Sequence, residues 1–128
     1  MPALEPVAGL HLVATPEALD AARWVGDDVD VIRIAPDEAL ALGATSVEID
    51  AGDAIVEPEA GYSVALLDVS EVQLVAAHTD WPLPEEAGSL AQGKIAGVPA
   101  KLLVGSPTLL ITPSAYADEL ARRLGWSR

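Results

Sequence analysis

The sequence contains no cysteine and no phenylalanine, only 4% aromatic residues, and seven basic residues against twenty acidic ones. The missing cysteine excludes disulfides, a thiolate nucleophile and any Cys-ligated zinc or iron–sulfur centre. The shortage of cations leaves a formal net charge of −13. A surface of that sign opposes a nucleic-acid backbone or an anionic membrane, because both need cationic contacts. No apolar run approaches the roughly 20 residues of a membrane span. The opening MPALEPVAGLHLV has no basic n-region and continues into an apparent strand, so it is not read as a signal peptide, and a cytoplasmic location is expected. A Gly-x-Ser-x-Gly elbow, a Gly-rich phosphate loop and the His-x-x-x-His and His-x-Glu metal spacings are all absent.

What is present is apolar and small. Half the chain (51%) is hydrophobic, which is enough to close a core in a chain of 128 residues, and one compact domain over 1–128 is expected. With so few aromatics, that core must be built from Ala, Val, Leu and Ile. Ala-rich packing brings backbones close but buries little area per residue, so such a domain gains from a partner surface. The acidity suits plain solubility or docking against a basic partner.

The order of segments predicts an α+β fold: a mixed or antiparallel sheet with about three helices packed on it. Leu10 to Ala14 reads as a first strand. Thr15-Pro16 then supplies an N-cap and a proline at the first helical position, opening a helix with Ala18, Ala22 and Val25 on one face and Gly26 as its stop. Asp27, Asp28 and Asp30 read as an acidic turn. Val31 to Ala35 is a second strand and Pro36-Asp37-Glu38 a turn. Ala39 to Leu42 reads as the returning strand, ended by Gly43, and Val47 and Ile49 as a separate half-exposed strand. After a turn at 50–53 comes a weak strand, Ala54 to Val56, bounded by Pro58 and Gly61. Tyr62 to Leu67 is the next strand. Ser70 with Gln73 fits a capping box for a helix carrying Val72, Val75 and Ala76, which stops near His78. The prolines of Trp81-Pro82-Leu83-Pro84 forbid helix there and predict a rigid loop.

The last third is the most legible. Ala91 to Ile95 and Val98 to Val104 form a hairpin around Ala96-Gly97, with Val98, Ala100, Leu102 and Val104 on one face. Thr108 to Ile111 is a further strand. Thr112-Pro113 repeats the Thr15-Pro16 device, and the closing helix places Tyr116, Leu120 and Leu124 on one stripe. Asp118 with Arg122, and Glu119 with Arg123, are favourable i,i+4 pairs, and Gly125 fits a C-cap. The echo between LHLVATPEALDAARWVG and TLLITPSAYADELARRLG reads either as two β–α units packed in one domain or as a common way to open a helix.

No catalytic residue, metal ligand or cofactor is expected. His11 lies within an apolar strand and reads as structural; His78, at a helix end, reads as a cap to the helix dipole. The acidic residues at turns (Asp27, Asp28, Asp30, Asp37, Glu38, Glu57 and Glu59) read as solvated surface rather than as acid–base pairs. Trp81, together with Gln92, Lys94 and Tyr116, is the candidate ligand or partner surface. Trp24 and Trp126, with Trp81, could also form such a surface, though partial burial at the domain edge is the commoner role for a tryptophan.

Five segments in order carry a family resemblance: VIRIAPDEALAL, LLDVS, WPLP, GSLAQGKIAGVPAKLLV and LLITPSAYADELARRL. The span from Val31 to Leu124 resembles the small gamma subunit of heterotetrameric sarcosine oxidase. The matching residues are Pro36, Asp37, Glu38, Asp68, Ser70, Ala91, Gln92, Ala96, Gly97, Val98, Ser114, Ala117 and Leu120. Ala39 stands where that family usually carries Trp, and Glu71 where a His is often seen. The resemblance implies a fold like the aminomethyltransferase folate-binding domain, with ferredoxin-like units. It also implies a non-catalytic subunit without its own flavin, acting through protein–protein contact with subunits that handle folate-linked amine oxidation. A free-standing domain binding a small folate-like molecule, and a homodimeric structural module, are the alternatives.

Overall fold

The computed structural model describes residues 2–126. The described residues form mostly antiparallel sheet with three short α-helices, and in that broad sense the fold is α+β. It divides into two compact units. One is Val7–Ala60; the other runs from Gly61 onward and includes the N-terminal residues to Pro6.

In the first unit, β1 (Glu5–Val13), β2 (Arg23–Ala35) and β3 (Glu38–Glu48) lie in the order β2-β3-β1. The helix α1 (Pro16–Ala21) follows β1, and its Thr15 cap accepts a hydrogen bond from the Ala18 N–H, as Thr15-Pro16 predicts. It stops at Ala21, however, and Val25 sits in strand β2 rather than on a helix face. Nor do the acidic residues 27–30 form a turn outside the sheet. They form an irregularity within β2, where the pairing shifts between Gly26 and Asp30 and Asp28 takes a φ of 50°.

The same bulge explains why Gly43 does not end β3. A Cβ on Gly26 would lie 2.3 Å from the Gly43 carbonyl oxygen, and Gly43 itself has a φ of 87°, so the two glycines let the paired strands bend and continue. Leu10, Leu12, Leu19, Ala39, Ala41 and Ala44 form this unit's core, which is alanine-rich as the composition requires.

In the second unit the order is β4-β7-β6-β5, with β4 at Ile55–Leu67, of which the residues from Gly61 on belong to this unit, β5 at Leu90–Ile95, β6 at Val98–Leu103 and β7 at Thr108–Pro113. β4 is one continuous strand rather than two. Pro58 lies before the part that pairs with β7, from Tyr62 to Leu67, so its missing N–H removes no bond from that ladder. The β5–β6 hairpin forms as predicted, with Ile95 opposite Val98 and both turn residues at positive φ, Ala96 at 51° and Gly97 at 79°. Val98, Ala100 and Leu102 are buried on one face with Ile95, Ala65, Leu67, Leu110 and Leu120.

Two helix entries differ from expectation. The helix α2 (Val69–Ala76) is capped by Asp68, not by Ser70. The Asp68 carboxylate accepts from the Glu71 N–H at 2.8 Å and from the Ser70 hydroxyl at 2.7 Å, while Glu71 Oε1 accepts from the Asp68 N–H at 2.9 Å. A carboxylate outcompetes a hydroxyl for the orphan N–H groups of the first turn. Thr112-Pro113 does not open a helix at all. Thr112 is fully buried and its hydroxyl donates to the Pro99 carbonyl at 2.9 Å, while Pro113 remains paired opposite Tyr62. A 3-10 turn at Ser114–Tyr116 leads into α3 (Ala117–Arg123), with no side-chain cap.

α3 ends as Gly125 predicts. The Gly125 N–H bonds to the Arg122 carbonyl and the Trp126 N–H to the Ala121 carbonyl, the paired closure of a glycine-terminated helix. Glu119 takes both Arg122 and Arg123. Arg123 also donates to the Ala96 carbonyl at 2.7 Å, tying the closing helix to the hairpin turn.

The Asp68 cap sets a pH dependence. The Ser70 hydroxyl and then the Glu71 N–H hold the Asp68 carboxyl below its usual value of 3.8. The folded state therefore binds this proton less readily than the unfolded one. Its stabilisation is complete above pH 3.8 and is lost as pH falls through the lower folded value. Asp68→Ala is expected to lower the urea midpoint at pH 7, with the gap to the parent chain closing as the pH drops below 4; Ser70→Ala is expected to lower it less. Separately, Leu110→Ala at a fully buried position is expected to cost about 2–5 kcal/mol in urea unfolding.

Candidate functional site

A cleft lies in the second unit, beside α2. Its volume is about 680 Å³, within the range of small-molecule sites. Val69, Val72, Gln73 and Ala76 of α2 form one wall, and the loop from Thr79 to Glu85 forms the other. Val104, Gly105 and Thr108 lie between β6 and β7 at its base.

Local chemistry places each wall. The Asp68 box starts α2 directly after β4, so the helix is aimed by the strand that precedes it. At its far end Thr79 Oγ1 lies 2.9 Å from the Ala76 carbonyl and 3.1 Å from the Trp81 carbonyl, which turns the chain into the Trp81-Pro82-Leu83-Pro84 loop. The loop returns to the sheet through a reciprocal backbone pair: the Gly88 N–H donates to the Val104 carbonyl at 2.8 Å, and the Val104 N–H to the Ser89 carbonyl at 2.9 Å. At the base, Thr108 Oγ1 donates to the Gly105 carbonyl at 3.1 Å.

Trp81 is held against the β5 strand. Its indole Nε1 donates to the Lys94 carbonyl at 3.2 Å. The ring lies so close to Gly93 that a Cβ there would be 2.9 Å from Nε1 and 3.1 Å from Cε2. Gly93 is thus the position on β5 that lets an indole reach the strand backbone. Trp81 is half-buried, and it packs with Leu83 and Val72 against the core of this unit.

Of the four residues singled out from sequence, only Trp81 lines the cleft. Gln92 and Lys94 are exposed on β5 and alternate with Ala91 and Ile95, which face the core; Lys94 contributes through its backbone carbonyl. Tyr116 stands 46% exposed at the start of α3. Sequence reading missed the α2 wall. The signal available was that Val-Ser-Glu-Val-Gln-Leu-Val-Ala carries more apolar residues than one buried face can use.

The histidines lie away from the cleft lining. His11 Nε2 meets Glu38 Oε2 at 2.5 Å across β1 and β3, a diagonal cross-strand pair. The His78 backbone carbonyl accepts from the Ala96 N–H at 2.9 Å, so the end of α2 supports the hairpin turn. Within β2, burial and then the Asp28 carboxylate hold Asp30 above its usual range. Among the described residues no cluster of three or more His, Asp or Glu side chains is arranged to hold a metal ion, and no helix is long and apolar enough to cross a membrane.

The Trp81 contact is directly testable. Gly93→Val is expected to displace the indole, shifting the Trp81 Nε1–H resonance and speeding its exchange with water, while the Trp24 and Trp126 resonances stay in place. Unchanged Trp81 signals would refute the packing described. No protein-family model and no curated protein matches this chain, so the geometry of the cleft and of α2 carries the functional reading.

Proposed function

We propose that this chain is a non-catalytic docking module, of the kind the resemblance to the sarcosine oxidase gamma subunit implies, and that α2 is the centre of its partner surface. The observation that carries this reading is the excess apolar surface of α2. Val75 is fully buried and Val69, Val72 and Ala76 line the cleft, yet Val69 is still 79% exposed, and Leu74, outside the cleft, is 66% exposed. Beside Val69, Leu66 at the end of β4 is 61% exposed. Leu74, five residues after Val69, points away from the cleft side of the helix, so α2 carries an exposed apolar residue beyond its core and cleft faces, which suits burial by another chain.

A fold like the aminomethyltransferase folate-binding domain belongs to this reading. It is supported by the antiparallel sheet with short helices and by the placement of the five resembling segments. They fall on the β2–β3 hairpin, the β4–α2 junction, the cleft loop, the β5–β6 hairpin and the β7–α3 segment. The link to folate-linked amine oxidation rests on the resemblance alone. Direct capture of a folate by the isolated chain is the weaker reading. Among the described residues, Asp80 and Glu85 line the cleft and no Lys, Arg or His does, an unfavourable setting for a ligand with a carboxylate tail.

A tagged chain expressed in its native host is expected to recover flavin-containing oxidase subunits at fixed stoichiometry, and Leu74→Asp is expected to cut that recovery at least tenfold while leaving the urea midpoint near the parent value. A chain that sediments as a lone monomer with no co-purifying oxidase would overturn the proposal. Concentration-dependent self-association with no second chain would replace it with the homodimeric module.

A further inference from the structure

We propose that the α2 cleft binds a small organic cation, an ammonium group carried on a compact apolar body. This goes beyond the docking reading and is tested apart from it at Leu74, which does not line the cleft, although Val69 belongs to both surfaces.

Three properties of the cleft select this chemistry. Its size suits a small molecule: about 680 Å³, against the 300–1,000 Å³ typical of such sites. Its lining includes Val69, Val72, Leu83, Val104 and the Trp81 indole among polar groups, so a ligand gains by bringing an apolar body out of water against them. Among the described residues its charged groups are of one sign: Asp80 and Glu85 line it and no basic side chain does. The described ion pairs engage Asp20, Glu38, Glu48 and Glu119, and neither cleft carboxylate takes part in one. An indole beside unpaired carboxylates favours an alkylated or aryl ammonium, because the ring attracts a cation and the carboxylates add to that attraction. An anion of the same shape meets repulsion from these two groups and from a chain of net charge −13.

Three probes with one aromatic ring and different charges test the proposal: phenethylammonium, neutral 2-phenylethanol and anionic 3-phenylpropionate, each titrated into the isotopically labelled chain and followed by NMR. Phenethylammonium is expected to give saturable shifts at the Trp81 indole and the Val104 and Gly105 amides, with affinity in the millimolar range or tighter, about −4 kcal/mol. It is expected to bind about three- to tenfold more tightly than 2-phenylethanol, with the margin shrinking at high salt. 3-Phenylpropionate is expected not to saturate. The double variant Asp80→Asn/Glu85→Gln, at two exposed positions, should lose most of the margin between phenethylammonium and 2-phenylethanol. Leu74→Asp, which is expected to abolish partner recovery, should leave cation binding unchanged, so the two proposals fail separately. Equal affinity for all three probes, saturable shifts confined to residues outside the cleft, or no saturation by phenethylammonium would each overturn the inference.

Discussion

The second unit depends on the burial of β7. Residues Thr108 to Thr112 are all buried, so both faces of this strand are covered, and it pairs with β4 on one side and β6 on the other. A strand in that position has no solvent face on which to place a polar side chain. Its run Leu109-Leu110-Ile111 is accordingly continuous rather than alternating. Its flanking threonines satisfy their hydroxyls internally, Thr108 at the Gly105 carbonyl and Thr112 at the Pro99 carbonyl. Once β7 is placed, β4 and β6 are placed, and with them α2 at the end of β4 and Val104 at the end of β6. The cleft is the space left between these elements and the proline-rich loop.

A second constraint is the scarcity of large side chains. The cores rest on leucine, isoleucine, valine and alanine, and the three tryptophans sit at their edges: Trp24 beside the first core, Trp81 and Trp126 beside the second. Trp81 is the one whose edge position also serves the cleft. Gly93 gives it access to the strand backbone, and the Lys94 carbonyl on β5 accepts its indole N–H. One contact thus covers part of a sheet edge and builds a cavity wall. The apolar economy of the fold shows in α2, which gives Val75 to the core and leaves Val69 and Leu74 exposed.

Where sequence reasoning erred, it erred at junctions. Gly43 and Pro58 carry the local signals of strand ends, yet β3 and β4 run through them. In β3 the opposing Gly26 absorbs the irregularity, and in β4 the proline falls before the β7 ladder. Thr112-Pro113 has the same local chemistry as Thr15-Pro16 and the opposite outcome, because the Thr112 hydroxyl is drawn to Pro99, 13 residues away in sequence. A dipeptide cannot report which of two distant carbonyls or amides will reach it.

The elements that sequence determined by itself are those whose hydrogen bonds close within a few residues. They are the Thr15 cap of α1, the Ala96-Gly97 turn with Ile95 opposite Val98, the Gly125 closure of α3 and the Glu119–Arg123 pair. The inward face Val98-Ala100-Leu102 belongs with them, because side chains in a strand alternate with a period of two. Tertiary structure decided the rest. It set the division into two units, the strand order, the continuity of β3 and β4, and the meeting of α2, the Trp81 loop and Val104 around one cavity. Those features depend on contacts between residues far apart in the chain. Their energy comes from removing apolar surface from water, which is non-directional and carries no local sequence mark.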